Sequence, residues 1–276
     1  MKIFTADKKT NLKDFTDCVF PQGGFCLARL LKNRDVKVNG VRVSGNVALN
    51  CGDEVAYYTT LKQESLPSHK SVYEDENIFI ADKFSGVNTE GLLSELCGKG
   101  EFFAVHRLDR NTQGLIVFAK NKDAQDNLLE AFKTRRVGKT YIALCKNCFK
   151  EQSGTLTAYL KKDEKNSTVK IYGRQVEGGL KIITEYSVAE VRGDVALVSV
   201  ALHTGRTHQI RAHLAYIGCP VLGDEKYGDF ALNKKYGATR QILVSKSIAF
   251  QLDGELAYLN GKTFTSNFFP ALPQKN

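Results

Sequence analysis

The length, composition and charge of the chain set the first limits on its fold and its partners. It has 276 residues, 42% of them hydrophobic, so it can bury a core and is long enough for two domains. The 39 Lys and Arg residues outnumber the 30 Asp and Glu residues, and the formal net charge is +9. This balance favours a polyanion such as nucleic acid as the partner, although many basic proteins carry only solvated cationic faces.

The sequence shows no signal for export or for membrane insertion. No long apolar run follows the basic residue at the N-terminus, and no stretch approaches 18 consecutive apolar residues. The seven cysteines, an odd number scattered along the chain, are typical of reduced thiols. We therefore expect a cytoplasmic protein that contacts no membrane, in which Cys145 and Cys148 are structural thiols rather than metal ligands.

Residues 1–60 form the first predicted domain, a small α+β unit. A helical run at Leu27 to Leu31 comes first, and valines then alternate with polar residues around Asn39-Gly40, which is a strong β-hairpin signal. This segment resembles the RNA-binding module first seen in small-subunit ribosomal protein four. The resemblance rests on the "VKVNG" hairpin and on the later "GDEV" at 52–55.

In that module a basic helix face and the hairpin grip RNA, which implies that the cations of this domain bind RNA. They are Arg29, Lys32, Arg34, Lys37 and Arg42. The alternative is a small β-rich domain whose basic face is only solvated.

A polar stretch at residues 61–71 separates this domain from the rest of the chain. It contains Pro67 and shows neither the helical nor the strand period, so we predict a linker. A flexible coil of this length reaches about 20 Å, which would let the flanking domains bind one ligand without rigid docking.

Residues 72–276 form the second predicted domain, in which strands dominate. Apolar residues four apart predict a helix between Lys122 and Arg136, and a second helix is predicted to stop at Gly218. Apolar runs predict strands at 78–81, 114–119, 139–145 and 194–202. Because no regular βαβ alternation appears, we predict an α+β fold with a mainly antiparallel mixed sheet.

One carboxylate of this domain is surrounded by positive charge. Asp109 lies between Arg107 and Arg110, shortly before a predicted strand. A nearby arginine keeps a carboxylate ionised and orients it by charge-assisted hydrogen bonds. Those properties suit a poised nucleophile, and they suit a structural ion pair as well.

Three segments together resemble the RluA-type pseudouridine synthases. They are "HRLDRNTQG" at 106–114, "KTYIAL" at 139–144 and "GRTHQIRAHLAYIGCPVLGDEKYG" at 205–228. The family patterns are H-R-L-D-x-x-T-S-G, K-x-Y, and G-R-T-H-Q-I-R-x-H-L followed by P-x-x-G-D-x-x-Y-G. The resemblance extends from about residue 72 to the C-terminus, and it implies the pseudouridine synthase fold and isomerisation of uridine in RNA without a cofactor or a metal.

The resemblance also implies roles for five residues. Asp109 would be the nucleophile, and Arg211, opposite the apolar face of its helix, would point into a cleft and pair with it. Tyr141 would stack on the uracil and assist proton removal, and Leu243 would form an apolar wall beside the base. Arg107 would fill the space that the extruded uridine leaves in the RNA. Extrusion costs about a few kcal/mol, and aromatic stacking returns about 1 to 3 kcal/mol per base.

The sequence departs from the family pattern at three places. Residues 83–86 read "KFSG" where K-P-x-G is usual, Gln113 stands where Ser is common, and residues 243–250 read "LVSKSIAF" where L-H-A-x-x-L-x-F is usual. None of these changes removes a proposed catalytic residue. They therefore bear on the choice of substrate more than on activity.

Two other kinds of site are disfavoured by spacing. His203, His208 and His213 fall five residues apart, unlike the four-residue step of a helical zinc pair, so we predict no metal there. Gly223-Asp224 is predicted to shape a turn, although a pair of Asp109 and Asp224 is what a glycosidase would require.

Three functions therefore compete. The first is a monomeric RNA pseudouridine synthase that acts on ribosomal RNA or tRNA and not on DNA. The second is an RNA-binding protein that kept the fold and lost turnover, against which the retention of all three catalytic positions argues. The third is an RNA N-glycosidase that uses Asp109 with a water molecule, and it would release free uracil.

Overall fold

Three sheets organise the described part of the chain. The computed structural model describes residues 1–19, 27–60, 63, 67–164 and 166–272. A four-stranded sheet and a two-stranded sheet lie within residues 1–57, and an eleven-stranded sheet begins at His69. No helix in the described ranges is both long and apolar enough to cross a lipid bilayer.

The N-terminal part packs two short helices against its four-stranded sheet. Its elements are β1 Lys2–Thr5, β2 Thr10–Asn11, α1 Leu12–Val19, α2 Leu27–Lys32, β3 Val36–Val38, β4 Val41–Arg42, β5 Ala48–Leu49 and β6 Glu54–Tyr57. The sheet order is β1-β6-β3-β4, and β2 pairs with β5. Phe15 of α1 and Leu30 of α2 are buried together with Val36 and Tyr57 of the sheet. This cluster is a core of its own.

The hairpin predicted in this part is confirmed. Strands β3 and β4 pair antiparallel, with Lys37 opposite Arg42. The turn residues Asn39 and Gly40 have φ angles of 48° and 79°. Both angles are left-handed, and Asn and Gly adopt that conformation at the least cost, so this dipeptide fixes the turn.

The segment predicted as a linker, residues 61–71, is only partly described. Positions 61–62 and 64–66 lie outside the described residues. The last three positions of the segment lie in a strand, because β7 begins at His69.

The N-terminal part contacts the rest of the chain near Asp109. Helix α1 lies against helix α3, Thr89–Cys97. The side-chain amide of Asn88 donates to the main-chain oxygen of Asp17, and the Asp17 carboxylate pairs with Arg110 of the Asp109 loop. The two parts are thus in direct contact, which the linker alone did not predict.

The second part is built on one large, mainly antiparallel sheet. Its elements after β7 His69–Glu74 are β8 Ile78–Lys83, α3 Thr89–Cys97, β9 Phe103–Ala104, β10 Gln113–Ala119, α4 Lys122–Lys133, β11 Val137–Lys146, β12 Ser153–Asp163, β13 Thr168–Tyr172, β14 Leu180–Arg192, β15 Val195–Leu202, α5 Gln209–Tyr216, α6 Phe230–Lys235, β16 Leu243–Phe250, a 3₁₀ helix Gly254–Leu259 and β17 Thr263–Thr265. The order is β13-β12-β14-β15-β11-β16-β10-β8-β7, with β17 beside β16 and β9 beside β10.

The strand directions confirm the predicted α+β class. Among the described residues, neighbouring strands of the large sheet run antiparallel except β10 and β16, which are parallel. The four predicted strands correspond to β8, β10, β11 and β15, and the two predicted helices to α4 and α5.

Strand β10 lies between the two main cores of this part. Ile116 and Phe118 pack on one face of the sheet with α3 and α5. Leu115 and Val117 pack on the other face with α4. Because successive side chains of a strand point to opposite faces, one continuous apolar run supplies both cores. The loop that precedes β10, residues 105–112, is therefore anchored to a strand that is buried on both faces.

Candidate active site

The five residues that the motifs assigned to uridine binding and catalysis line one cleft. Asp109, Tyr141, Arg211, Arg107 and Leu243 border a space of about 950 Å³. They come from the 105–112 loop, from strands β11 and β16 and from helix α5. This volume is near the upper end of the roughly 300 to 1,000 Å³ of small-molecule pockets. The cleft therefore has room for more than one pyrimidine ring.

The loop that carries Asp109 is fixed by hydrogen bonds on both sides of it. Before it, the Thr89 hydroxyl lies 3.1 Å from the oxygen and 3.2 Å from the nitrogen of Leu108. After it, the ammonium of Lys83 donates to the main-chain oxygen of Arg110 at 3.0 Å. A loop held in this way by a rigid scaffold presents its side chain in one orientation.

Lys83 is a buried cation beneath this loop. Its ammonium donates to the main-chain oxygens of Val87 at 2.6 Å and Phe84 at 3.3 Å, in addition to that of Arg110. Burial lowers the pKa of Lys83 to about 7. Phe84, which stands where the family has proline, packs against Phe268 with ring centroids 5.1 Å apart. The altered "KFSG" segment therefore still supports the loop through its lysine.

Gly114 is required where the loop enters β10. Its φ is 101°, and a Cβ there would lie 2.3 Å from the main-chain oxygen of Ser245 on β16.

We expect Gly114→Ala to lower the free energy of unfolding by at least about 1 to 3 kcal/mol and to lower kcat, because the loop must shift. Denaturant unfolding and turnover measure both effects. Gly193→Ala is the control, since φ is 62° there and nothing lies within 4 Å of the added Cβ. Equal losses in the two variants would rule out the contact with Ser245 as the cause.

Arg211 is a buried cation held between two carboxylates. Its Nη1 donates to Oδ2 of Asp109 at 2.9 Å, and its Nε and Nη2 donate to the two oxygens of Asp224 at 2.6 and 2.9 Å. The side chains of Arg211 and Asp224 are 6% and 0% exposed, and that of Asp109 is 20% exposed. Burial lowers the pKa of Arg211, but hydrogen bonds and charges from the two acids outweigh it and raise the pKa overall. The guanidinium thus stays charged beside Asp109.

Asp224 has two roles in this network, and the sequence analysis predicted only the first of them. It shapes a turn, as predicted, because its Oδ1 accepts from the main-chain amides of Lys226 at 2.8 Å and Tyr227 at 3.1 Å. The same carboxylate also holds Arg211. Burial raises the pKa of Asp224, but the hydrogen bond and charge of Arg211 outweigh it and lower the pKa overall. The signal that could have identified it is the arginine itself, whose five N–H donors one carboxylate cannot satisfy when the side chain is buried.

A histidine and a tyrosine, also missed, complete the surroundings of the ion pair. His208 Nδ1 lies 2.9 Å from the Tyr227 hydroxyl, and His208 Nε2 lies 3.9 Å from Oδ2 of Asp109. Burial lowers the pKa of His208, although the charge of Asp109 opposes this, so the imidazole is neutral at physiological pH. The guanidinium of Arg211 lies 5.3 Å from the ring centroid of Tyr227.

Tyr141 and Leu243 form an apolar side of the cleft. Both are buried, and they lie on the adjacent strands β11 and β16, where Tyr141 faces Ser245. Burial raises the pKa of the Tyr141 phenol to about 12, and the negative charge of Asp109 acts in the same direction. At neutral pH the side chain is therefore a protonated phenol that offers a ring face and one hydrogen-bond donor.

Arg107 lies at the rim of the cleft. Its side chain is 67% exposed, and its Nη1 lies 3.5 Å from Oε1 of Glu90. An exposed pair of this kind contributes about 0 to 1 kcal/mol, so the guanidinium can leave it at little cost.

The predicted RNA-binding cations of the N-terminal part lie outside the cleft lining. Arg29, Lys32, Arg34 and Arg42 are exposed, and Lys37 is half-buried. Lys37 and Arg42 lie opposite each other on β3 and β4, 5.3 and 5.9 Å from the ring centroid of Tyr58. Two cations and an aromatic ring thus share one surface of the hairpin.

The histidines and cysteines outside the ion pair are dispersed. His203 lies 2.9 Å from Oε2 of Glu185, and His213 lies 3.0 Å from the Thr184 hydroxyl. Within the described ranges, no three His, Cys, Asp or Glu side chains come together as a group that could hold a metal ion.

Sequence comparison relates the chain to one enzyme family. The family model for RNA pseudouridylate synthase matches residues 57–216, more than half of the chain. The chain is 31% identical over 253 residues to the ribosomal large subunit pseudouridine synthase C of Vibrio parahaemolyticus, covering 81% of this chain and 78% of that protein. It is 32% identical over 222 residues to the uncharacterized RNA pseudouridine synthase YlyB of Bacillus subtilis, covering 72% of each.

Structural comparison gives the same fold. Human RNA pseudouridylate synthase domain containing 1 matches with a TM-score of 0.57 and 26% identity, over 74% of this chain and 91% of that one. Because the family model begins at residue 57, the resemblance of the N-terminal part to a ribosomal-protein module stays a prediction. The chain therefore belongs to the RNA pseudouridylate synthase family, whose members are isomerases.

Proposed function

We propose that this RNA pseudouridine synthase modifies ribosomal RNA of the large subunit and that Asp109 is its nucleophile. The observation that carries the catalytic assignment is the ion pair at 2.9 Å between Asp109 and a buried arginine. Asp224 secures the charge of that arginine, so Arg211 holds the reactive carboxylate in one orientation.

The cleft suits a uridine that has left the RNA stack. A base inside a helix hides its glycosidic bond, so it must be extruded or already unstacked. Its ring would lie on Tyr141 beside Leu243, with Arg107 in the vacated space. We expect no cofactor, because the reaction exchanges bonds within one nucleotide.

The reaction needs a nucleophile and a proton acceptor. Attack by the Asp109 carboxylate forms a bond to the nucleotide, and the bond between ribose C1′ and uracil N1 breaks. The uracil turns while it stays in the cleft, a bond forms between C1′ and C5, and the bond to Asp109 breaks, which regenerates the carboxylate. Water accepts the C5 proton and supplies one to N1. Tyr141 would hold the ring face during the turn and assist removal of the C5 proton, and Arg211 would balance the charge of Asp109 whenever the carboxylate is free.

Two alternatives fit the site less well. An RNA-binding protein without turnover has no need to place three catalytic side chains, Asp109, Tyr141 and Arg211, in one cleft. A glycosidase requires a second acid that can move a proton, but both oxygens of Asp224 are bound to Arg211 and its side chain is fully buried.

The choice of RNA rests on the relatives and on charge. The Vibrio parahaemolyticus relative is named for the large ribosomal subunit, and the net charge of +9 suits a large polyanion. We expect a cytoplasmic monomer, since one chain supplies Asp109, Tyr141 and Arg211, and we expect no action on DNA.

The test of the substrate is a map of pseudouridines in total RNA from cells with and without this chain. We expect at least one site in large-subunit ribosomal RNA to disappear and to return with the wild type but not with Asp109→Asn. A site lost only from tRNA would contradict the proposed substrate, and an unchanged map would contradict activity in the cell.

The cations of the N-terminal part are expected to contribute RNA affinity rather than catalysis. Their replacement by Gln should raise KM and leave kcat nearly unchanged, because phosphate contacts act on binding. The slope of log affinity against log salt should become shallower by about 0.7 to 0.9 for each contact removed. The five positions are Arg29, Lys32, Arg34, Lys37 and Arg42.

A salt titration of RNA binding, run beside steady-state kinetics, measures both effects. The control carries Lys122→Gln and Lys235→Gln, two exposed cations outside the cleft lining that pair with Asp126 and Asp194. If the N-terminal variant matched the wild type in KM and in slope, this part of the chain would not be an RNA grip.

A further inference from the structure

Lys139 is a cation of the active-site cleft without a carboxylate partner. It lines the cleft and is half-buried on strand β11, two residues before Tyr141. Across the described ranges, no acidic side chain forms an ion pair with it. Burial lowers its pKa, which reflects the cost of keeping an ammonium away from water without an opposite charge.

The groups that surround the ammonium of Lys139 supply no negative charge. It lies 5.1 Å from the ring centroid of Phe132, and this ring stacks on His106 with centroids 4.6 Å apart. The Nε2 of His106 accepts from the main-chain amide of Val117 at 2.9 Å, and burial lowers the pKa of His106 to about 3. The ammonium of Lys139 therefore lies over the neutral ring of Phe132, which in turn stacks on the neutral ring of His106. These neighbours do not balance its positive charge.

In the cleft as a whole, positively charged side chains also outnumber negatively charged ones. Six Lys and Arg residues line it, against one acid, Asp109. That acid is already paired with Arg211. Lys133, in contrast to Lys139, pairs with Glu130 at 3.3 Å and is 79% exposed. The charge that the cleft lacks must therefore arrive with the ligand.

We propose that Lys139 binds a phosphate of the RNA backbone next to the nucleotide whose base lies on Tyr141. The inference rests on the proposed function, because uracil is neutral and phosphates are the anions of RNA. Two residues along a strand span about 7 Å, so a phosphate near the bound base is within reach of the lysine. A charge-assisted hydrogen bond from this half-buried ammonium fixes the backbone while the base turns.

This role makes a different prediction from a structural one. Removing the charge should raise KM for RNA by about 10-fold or more, since a hydrogen bond between charged groups is lost. The salt slope should become shallower by about 0.7 to 0.9, the change for one phosphate contact. The melting temperature of the free protein should stay equal or rise, because Met keeps the length of the stem and removes an unpaired charge.

The experiment compares full-length Lys139→Met, Lys139→Arg and the control Lys122→Met on one RNA substrate, since Lys122 pairs with Asp126 and lies outside the cleft lining. Each is measured for pseudouridine kinetics, for the salt dependence of RNA binding and for thermal unfolding. We expect Lys139→Arg to recover most of the loss in KM and Lys122→Met to match the wild type. If the wild type is active but Lys139→Met has the same KM and the same salt slope, the inference about Lys139 is wrong and the proposed function stands. If Lys139→Met melts at a lower temperature than the wild type and its KM is unchanged, the inference is also wrong, because Lys139 then has a structural role. Absence of pseudouridine with the wild type would instead contradict the proposed function.

Discussion

The Asp109→Asn variant is expected to fold and to bind RNA but to form pseudouridine at least on the order of 10³-fold more slowly than the wild type. The amide has nearly the shape of the carboxylate, and its oxygen still accepts from Arg211, which donates to Asp109 at 2.9 Å in the wild type. It cannot act as a nucleophile. The measurement is the single-turnover rate at saturating RNA, together with RNA binding and unfolding of the same preparation.

A matched control separates loss of the nucleophile from loss of any negative charge. Asp126 on α4 is 64% exposed and pairs with Lys122 on the same helix. Asp126→Asn should therefore keep the wild-type rate. Near-normal turnover by Asp109→Asn would refute the assignment of the nucleophile.

The Arg211→Met variant is expected to lose both activity and stability. It leaves Asp224 fully buried without its charged partner, and breaking a buried pair from one side costs about 3 to 5 kcal/mol. It also removes the charge that compensates Asp109, so turnover should fall even where the variant remains folded. Denaturant unfolding and the single-turnover rate measure the two losses separately.

A second substitution distinguishes the two roles of this arginine. Arg211→Met combined with Asp224→Asn leaves no unpaired charge in the buried turn, and the amide oxygen still accepts from the amides of Lys226 and Tyr227. We expect the double variant to recover much of the free energy of unfolding and none of the activity. Recovery of turnover together with stability would show that Arg211 is only structural.

The elements that position the site could be predicted from local sequence patterns. The apolar run of β10 identified a central strand because a strand buried on both faces has no polar side. Asn39-Gly40 identified the hairpin because few residues adopt two left-handed conformations in succession. The motif resemblance then assigned Asp109, Tyr141 and Arg211, and the fold brings these three residues to one cleft.

The partners of Arg211 could not be predicted in the same way. The sequence analysis places Arg211 opposite the apolar face of its helix and predicts a side chain that points into a cleft. Arg211 and Leu214 are three residues apart, however, so they lie only about 60° apart around the helix. Arg211 does line the cleft, but it is also buried, because the turn at Asp224 folds back over it. Burial depends on what packs against a helix, and local periodicity carries no information on that.

Local sequence patterns could not predict the contact between the two parts of the chain either. It depends on Asp17 meeting Asn88 and Arg110, which lie more than 70 residues away in the sequence. The polar segment between the parts predicted a linker but could not predict which surfaces meet.

The central claim is that the cleft around Asp109 isomerises uridine in RNA without releasing the base. It is tested most directly by a mass balance on unmodified large-subunit ribosomal RNA incubated with the purified protein. Uridine, pseudouridine and free uracil are quantified in the same sample over time. We predict that every uridine lost appears as pseudouridine at a defined position and that no free uracil accumulates. Free uracil in amounts equal to the uridine lost, or no loss of uridine at all, would contradict the claim.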